Sequence, residues 1–352
     1  MASPLASRAA RPGRPLLRYT LRRVGVSVLL VVGVTLVTFV LTNLVPGDTV
    51  AANLGQQAAA DPAIVAAYRA HYGLDRPLPE QYATYLVNLL HGDLGESQQT
   101  HRSVVADLST AAPATLEIAI GAIVLSSLIG VGLGVLAAVR RGRLTDGALR
   151  LVSLVGISVP TFWLAMVAFY VFSFQLDIAP GSGRLSPATT VPPDVTGLYT
   201  VDALLAGDGE AFADAVAHLA LPTLVLTLYT VGLLTRFARS AVLEVLDQDY
   251  VRSARAKGLP GGAVLVRYVL RAALVPILTV VGLAFGTLLS GTVLVEQVFS
   301  WPGMGSYAYQ AASHLDLPGV MGVGLVVGII YIVINLVVDL LYGLVDPRVR
   351  VS

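Results

Sequence analysis

Few residues in this chain are of a type that does chemistry. None of its 352 residues is cysteine, which excludes disulfides, thiolate metal sites and a cysteine nucleophile. The only lysine, Lys257, sits between Ala256 and Gly258. A phosphate-cradling loop needs Gly-Lys followed by Ser or Thr, so ATP hydrolysis is not expected from this chain. His71, His91, His101, His218 and His314 lack metal-ligand spacing and read as surface residues. They offer no serine–histidine–acid arrangement either, so an intramembrane hydrolase is not expected. What remains is a set of acids beside apolar stretches, Glu117, Asp339 and Glu296 with its neighbour Gln297, and one charged run from Asp247 to Gly258. Ionisable groups in apolar surroundings are costly, so each is a functional candidate. Glu117 and Asp339 lie near the ends of their stretches, and structural roles are expected for both. Glu296 and Gln297 could face a translocation gate, or could satisfy backbone donors in the turn from Trp301 to Gly305. The second role is preferred.

The elements that must position these groups are membrane helices. The chain is 55% hydrophobic and only 13% charged, with a mean hydropathy of +0.74. Soluble proteins average about a quarter charged residues. Six stretches, 24–45, 118–139, 151–176, 219–237, 272–295 and 320–345, approach the roughly 20 apolar residues that cross a hydrocarbon core. The fold class expected is therefore all-α, a polytopic protein of six transmembrane helices. Pro160, Pro222 and Pro276 bend their helices. The first stretch is too long for the core of a secretory signal and reads as an uncleaved helix. The pairs Gly130/Gly134, Gly282/Gly286 and Gly324/Gly328 predict close packing within the chain. Trp163 and Trp301 are expected as interfacial anchors.

Charge sets the orientation. The formal net charge of +1 hides a segregation of signs. Of the 23 Lys and Arg residues, all but Arg69, Arg76, Arg102 and Arg184 fall in the tails or in the second and fourth connections. Basic residues collect on the cytoplasmic side, so both tails, 1–23 and 346–352, are expected there. On the opposite side, 46–112 predicts a small ordered cap with helices opening at Asp61-Pro62 and around 81–90. The stretch 177–218 predicts a plain irregular loop with a helix near its end.

The fourth connection, 238–271, carries the charged run. Asp247 is expected to cap a helix with Asp249 in its first turn and Arg252, Arg255 and Lys257 in its last, followed by Gly258 and Pro260. Acid first, base last and glycine after suit the helix dipole and the C-terminal turn. Leu243, Leu246 and Tyr250 stand at helical spacing on one side. A basic helix resting on anionic lipid and a docking helix for a cytoplasmic protein both fit this composition.

The run Asp249-Tyr250-Val251-Arg252-Ser253-Ala254-Arg255-Ala256-Lys257-Gly258-Leu259 resembles the cytoplasmic loop of binding-protein-dependent ABC importers, in particular the dipeptide/oligopeptide/nickel permease branch. The general loop reads Glu-Ala-Ala, three residues, then Gly; here Arg252 stands in the acidic position, and Ala254 and Gly258 hold. Further stretches similar to that branch follow in order. They are Leu17-Arg18-Tyr19, Pro46-Gly47-Asp48, Tyr72-Gly73-Leu74-Asp75-Arg76-Pro77 and Gly92-Asp93-Leu94-Gly95. Pro113-Ala114-Thr115-Leu116-Glu117, Val295-Glu296-Gln297-Val298-Phe299, Trp301-Pro302-Gly303-Met304-Gly305 and Asp346-Pro347-Arg348-Val349-Arg350 complete the set.

The resemblance implies a type I importer permease with its core at 113–345, binding no cofactor itself. It implies a second homologous permease, two cytoplasmic ATPases that bind ATP and Mg, an extracytoplasmic substrate-binding protein and a peptide substrate, in membrane lipid and without nucleic acid. Asp249, Tyr250, Arg252, Ser253, Ala254, Arg255, Ala256, Lys257 and Gly258 would form the helix coupled to an ATPase. A nickel or other small-solute importer of the same family is the near alternative. An ion-coupled secondary transporter would need a mid-membrane acid chain or an inverted repeat, and neither is found. A non-transporting scaffold subunit is the third class.

Overall fold

A computed structural model describes residues 14–44, 54 and 60–345. The motifs at 46–48 and 346–350, and Arg8 and Arg11, lie outside the described residues. In chain order the first helices are α1 (Arg14–Leu44), α2 (Pro62–Tyr72), α3 (Leu78–Leu90), α4 (Val104–Val139), α5 (Leu144–Ser158) and α6 (Thr161–Ala168). There follow α7 (Tyr199–Ala206), α8 (Gly209–Leu246), α9 (Asp249–Ala256), α10 (Gly261–Val264), α11 (Arg271–Val298), α12 (Met304–Ser313) and α13 (Leu317–Val345). π-Helical turns Phe169–Gln175 and Leu265–Leu270 continue α6 and lead into α11. No strand occurs among the described residues, so the protein is all-α.

Four segments, α4, α8, Gly261–Val298 and Leu317–Asp339, are long and apolar enough to cross a membrane. Val28–Val40 and Thr161–Gln175 are shorter apolar helices. The expected span 151–176 is not one helix. α5 ends at Ser158, Val159 and Pro160 are extended, and α6 starts afresh at Thr161. Proline lacks an N–H and drives its predecessor out of the helical region, which accounts for the break. Pro113, Pro222 and Pro276 instead lie inside helices. Two helices begin earlier than apolarity suggested, because polar caps start them. The Ser103 side chain accepts from Ala106 N at the head of α4, and Asp208 from Ala211 N at the head of α8.

The seam between α4 and α8 is the heart of the bundle. A Cβ on Gly134 would stand 2.7 Å from both the Ala238 Cβ and the Thr235 carbonyl oxygen, and one on Gly130 would stand 2.9 Å from the Leu234 Cβ. The other small-residue pairs serve the same end. Gly282 and Gly286 face Val338 and Tyr331 of α13, while Gly324 and Gly328 face Thr38 and Val34 of α1. Ile118, Ala122, Leu226, Leu234, Leu288 and Trp301 share one buried cluster. Trp301 is therefore no interfacial anchor: it is 1% exposed and its indole N–H donates to the Ala114 carbonyl at 2.9 Å. Trp163, by contrast, is half exposed. His218 is likewise not a surface residue, being buried with Nδ1 2.9 Å from the Asp214 carbonyl.

The glycine seam makes a measurable demand. Gly134→Leu drives a side chain into backbone and should destabilise by about 3 kcal/mol, the upper range for overpacking. Gly132→Ala, which meets nothing within 4 Å, should leave the thermal midpoint of the purified protein unchanged. Equal midpoints for the two variants would contradict the packing.

Candidate functional site

α9 projects from the end of α8. Asp247 does not cap it: its backbone is helical (φ −86, ψ −2) and it closes α8, its N–H reaching the Leu243 carbonyl at 3.2 Å. The extended residue before α9 is Gln248, which makes no side-chain cap bond. Asp249 in the first turn and Arg255 in the last suit the helix dipole. Gly258, at φ +77, takes the left-handed conformation that ends the helix, with its N–H on the Arg255 carbonyl at 2.9 Å.

The apolar side of α9 is not the one read from Leu243, Leu246 and Tyr250. Tyr250 is 46% exposed, and the buried residues are Val251 and Ala254. They join Ala138, Ala238, Val242, Val264 and Val269 in a second core cluster. Asp249, Tyr250, Arg252, Ser253, Arg255, Ala256, Lys257 and Gly258 are all exposed. The Arg252–Asp249 contact at 3.4 Å is a solvated pair, worth little to stability. Among the described residues, nothing therefore occupies the outer face of α9 beyond that pair.

At the same end, Asp146 ties α5 to α8. It accepts from Arg239 Nε at 2.7 Å and Nη2 at 3.0 Å, from Arg150 Nη2 at 3.0 Å and from the Gly142 N–H at 3.1 Å. The Arg239 hydrogen bonds, helped by Arg150 and the Gly142 N–H, compensate the burial of this carboxylate. Arg141 meets Asp247 at 3.3 Å nearby.

The far end of the bundle gathers motifs that lie far apart in sequence. The Thr115 hydroxyl donates to Glu296 Oε1 at 2.7 Å and accepts from the Met304 N–H at 2.7 Å. Glu296 Oε2 accepts from the Ser306 N–H at 2.8 Å, and the residue is fully buried. Gly303 and Gly305 are needed here, since a Cβ on either would come within 2.9 Å of the Glu296 carboxylate. Gln297 is exposed and donates to the Ser306 hydroxyl at 3.2 Å.

Two residues further along α4, Glu117 accepts from Arg184 Nη2 at 2.7 Å, from the Thr200 hydroxyl at 2.6 Å and from the Thr200 N–H at 2.8 Å. Arg184 also donates to the Gly197 carbonyl at 2.8 Å and lies 3.5 Å from the Tyr199 ring centroid. The stretch 177–198 is thus not a plain loop but is folded down onto α4. Asp202 adds to its order by accepting from Thr196 N and Oγ1 and from Gly197 N.

Between these ends, the break at Pro160 opens a cavity of about 430 Å³ against α8 and α11. Ser158, Thr161, Tyr229, Thr230 and Thr287 line it with hydroxyls, and no charged side chain among the described residues does. Sequence reasoning found α9, Glu296 and Glu117 but missed Asp146, Arg184 and Thr115. Arg184 did leave a signal, as one of the four cations set apart from the basic side.

The Glu117–Arg184 pair supports a direct test. Both side chains are nearly fully enclosed, at 5% and 6% exposure, and stranding one member of a buried pair costs about 3–5 kcal/mol. Arg184→Ala should lower the thermal midpoint and open 177–198 to protease, while Glu117→Gln combined with Arg184→Met recovers much of the loss. Unchanged cleavage in Arg184→Ala would show that the pair does not hold the loop.

The sequence matches known transport proteins along most of its length. Residues 130–351 match the family described as binding-protein-dependent transport system inner membrane component, and residues 16–119 match its N-terminal membrane component. A probable D,D-dipeptide transport system permease protein of Escherichia coli is 48% identical over 322 residues, covering 92% of this chain and 94% of its own. A di/tripeptide transport system permease protein of Pseudomonas aeruginosa is 44% identical, covering 95% and 99%. The dipeptide transport system permease protein of Escherichia coli is 39% identical over the same shares. Among solved structures, an inward-facing methionine ABC transporter matches at TM-score 0.47 and 16% identity, over 66% of this chain and 93% of that one. Full-length kinship at these identities settles the family: the chain belongs to the binding-protein-dependent transport system inner membrane components, the non-catalytic permease subunits of ABC importers.

Proposed function

We propose that this chain is one of two permease subunits of an ATP-driven importer of di- and oligopeptides. It works with a second homologous permease, with two cytoplasmic ATPases that bind ATP and Mg, and with an extracytoplasmic substrate-binding protein. Kinship to permeases named for dipeptide and tripeptide transport supports the substrate class.

The packing of α9 is the observation that carries the coupling role. A helix resting on lipid turns its apolar face outward into the headgroup boundary. In α9 that face, Val251 and Ala254, is sealed against the chain's own core. What remains outside is a charged surface on a short rigid helix, which suits a cleft on another protein. When ATP draws the ATPase pair together, α9 moves with its cleft and α8 moves with α9. The bundle then tilts between inward-open and outward-open states, biased by the different nucleotide affinities of the two.

The same end supports the topology. The Asp146–Arg239 and Arg141–Asp247 contacts gather the arginine-rich connections at one pole of the bundle, and basic residues favour the cytoplasm. Six crossings, made by α1, α4, the broken α5–α6 pair, α8, α11 and α13, would leave both tails on that side. The cavity at the Pro160 break lies along the solute's route between the two permeases. Irregular backbone is tolerated at membrane depth where it lines such a space. Hydroxyls and backbone without fixed charge suit a peptide that must be released rather than held.

Arg255→Glu reverses a charge on the free face without touching the buried one. Labelled dipeptide uptake and ATPase co-purification should each fall about tenfold or more, since like charges across an interface cost several kcal/mol. The thermal midpoint of the isolated chain should stay at the wild-type value. Wild-type uptake from Arg255→Glu, and from Ala254→Asp, which sets a carboxylate under the helix, would remove the coupling role.

A further inference from the structure

A second cavity, of about 240 Å³, lies between the middle of α5, the end of α4 at Ala137 and the last turns of α8, away from the Pro160 break. Arg150, Arg236 and Arg239 line it together with Ser153, Thr235 and Ser240. One carboxylate answers the three guanidinium groups. Asp146 takes Arg239 through two hydrogen bonds and Arg150 through one. Arg236 has no acidic partner among the described residues and lies 5.4 Å from the ring of Phe237. Arg236 and Arg150 are exposed at its mouth, and among the described residues no second carboxylate neutralises the excess positive charge of the lining.

A buried hydroxyl points to the same missing group. Thr235 is 3% exposed and its Oγ1 has no hydrogen-bond partner. Thr227 and Thr230 on the same helix satisfy theirs on the carbonyl four residues back, at 2.7 and 2.8 Å, whereas Thr223, away from this cavity, shares the lack of a partner with Thr235. A buried donor without an acceptor is unfavourable, and an anionic oxygen in the cavity would relieve it. Beside the cavity, Leu154 and Phe237 are 55% and 42% exposed. A ligand with phosphate oxygens at one end and hydrocarbon at the other would match both the lining and its surroundings.

We propose that this cavity binds the phosphate of an anionic phospholipid. Arg236 and Thr235 contact the headgroup directly, and Asp146 holds Arg239 and Arg150 as the frame around it. Basic pockets between membrane helices are suited to such headgroups. Free inorganic phosphate shares the chemistry, but the apolar flank favours the lipid.

The test uses the full-length chain, purified with its co-purifying subunits, in nanodiscs of phosphatidylcholine with or without phosphatidylglycerol. Bound lipid is counted by native mass spectrometry and stability by thermal midpoint. Wild type should retain phosphatidylglycerol over phosphatidylcholine, and Arg236→Gln should weaken that retention about tenfold, as expected for one charged contact. Arg236 makes no bond to Asp146, so this variant keeps the frame. Thr235→Val should raise the midpoint in phosphatidylcholine alone and narrow the gain from phosphatidylglycerol. Millimolar inorganic phosphate is the second arm. A midpoint rise in wild type that Arg236→Gln abolishes, without lipid retention, would assign the anion site to free phosphate. Equal phosphatidylglycerol retention by wild type and Arg236→Gln would overturn the proposal.

Discussion

Where α4 and α8 cross, no side chain separates them. Gly130 and Gly134 let the backbone of one helix rest against Leu234, Thr235 and Ala238 of the other, and a contact that close slides or tilts as a body rather than yielding locally. Each helix carries a polar device beyond the seam. α8 continues into α9 at one pole, while α4 carries Thr115 and Glu117 at the other. A push on α9 therefore has little soft material in which to dissipate before it reaches the opposite end.

That opposite end explains motifs that look unrelated in sequence. The Thr115 hydroxyl, the Glu296 carboxylate and the backbone N–H groups of Met304 and Ser306 satisfy one another inside a largely buried knot. Glycines at 303 and 305 are there because the carboxylate leaves no room for a Cβ. Glu117 then pins the loop 177–198 through Arg184. Glu117 and Glu296 serve here to join α4, α11 and an extended loop, and no proton path is required to account for these two.

Much of this was legible beforehand. Long apolar runs gave the helices, and glycine spacing gave the contacts, because lipid and close packing each leave a one-dimensional trace. Helix ends were less legible. α4 and α8 run past their apolar cores through capped polar turns at Ser103 and Asp208, and hydropathy does not see a cap. The break at Pro160 and the unbroken passage of Pro113, Pro222 and Pro276 differ only in their surroundings. Asp247 misled because its side chain suits a cap while its backbone belongs to the preceding helix. Trp301 and His218 were misjudged, and Arg184 missed, for a shared reason. Their polar atoms find partners at least several residues away, and burial of an amphipathic side chain depends on those partners.

The account turns on what meets the free face of α9. Because the chain contains no cysteine, a single cysteine placed at position 255 can be followed alone in native membranes. Disulfide or short-linker trapping should join it to an ATPase subunit, with a yield that changes when ATP is added. A cysteine at position 128, where Leu128 is 70% exposed on the bundle, should give no such product. If position 255 is trapped only by lipid-borne or soluble reagents, and never by an ATPase in either nucleotide state, the coupling account is wrong.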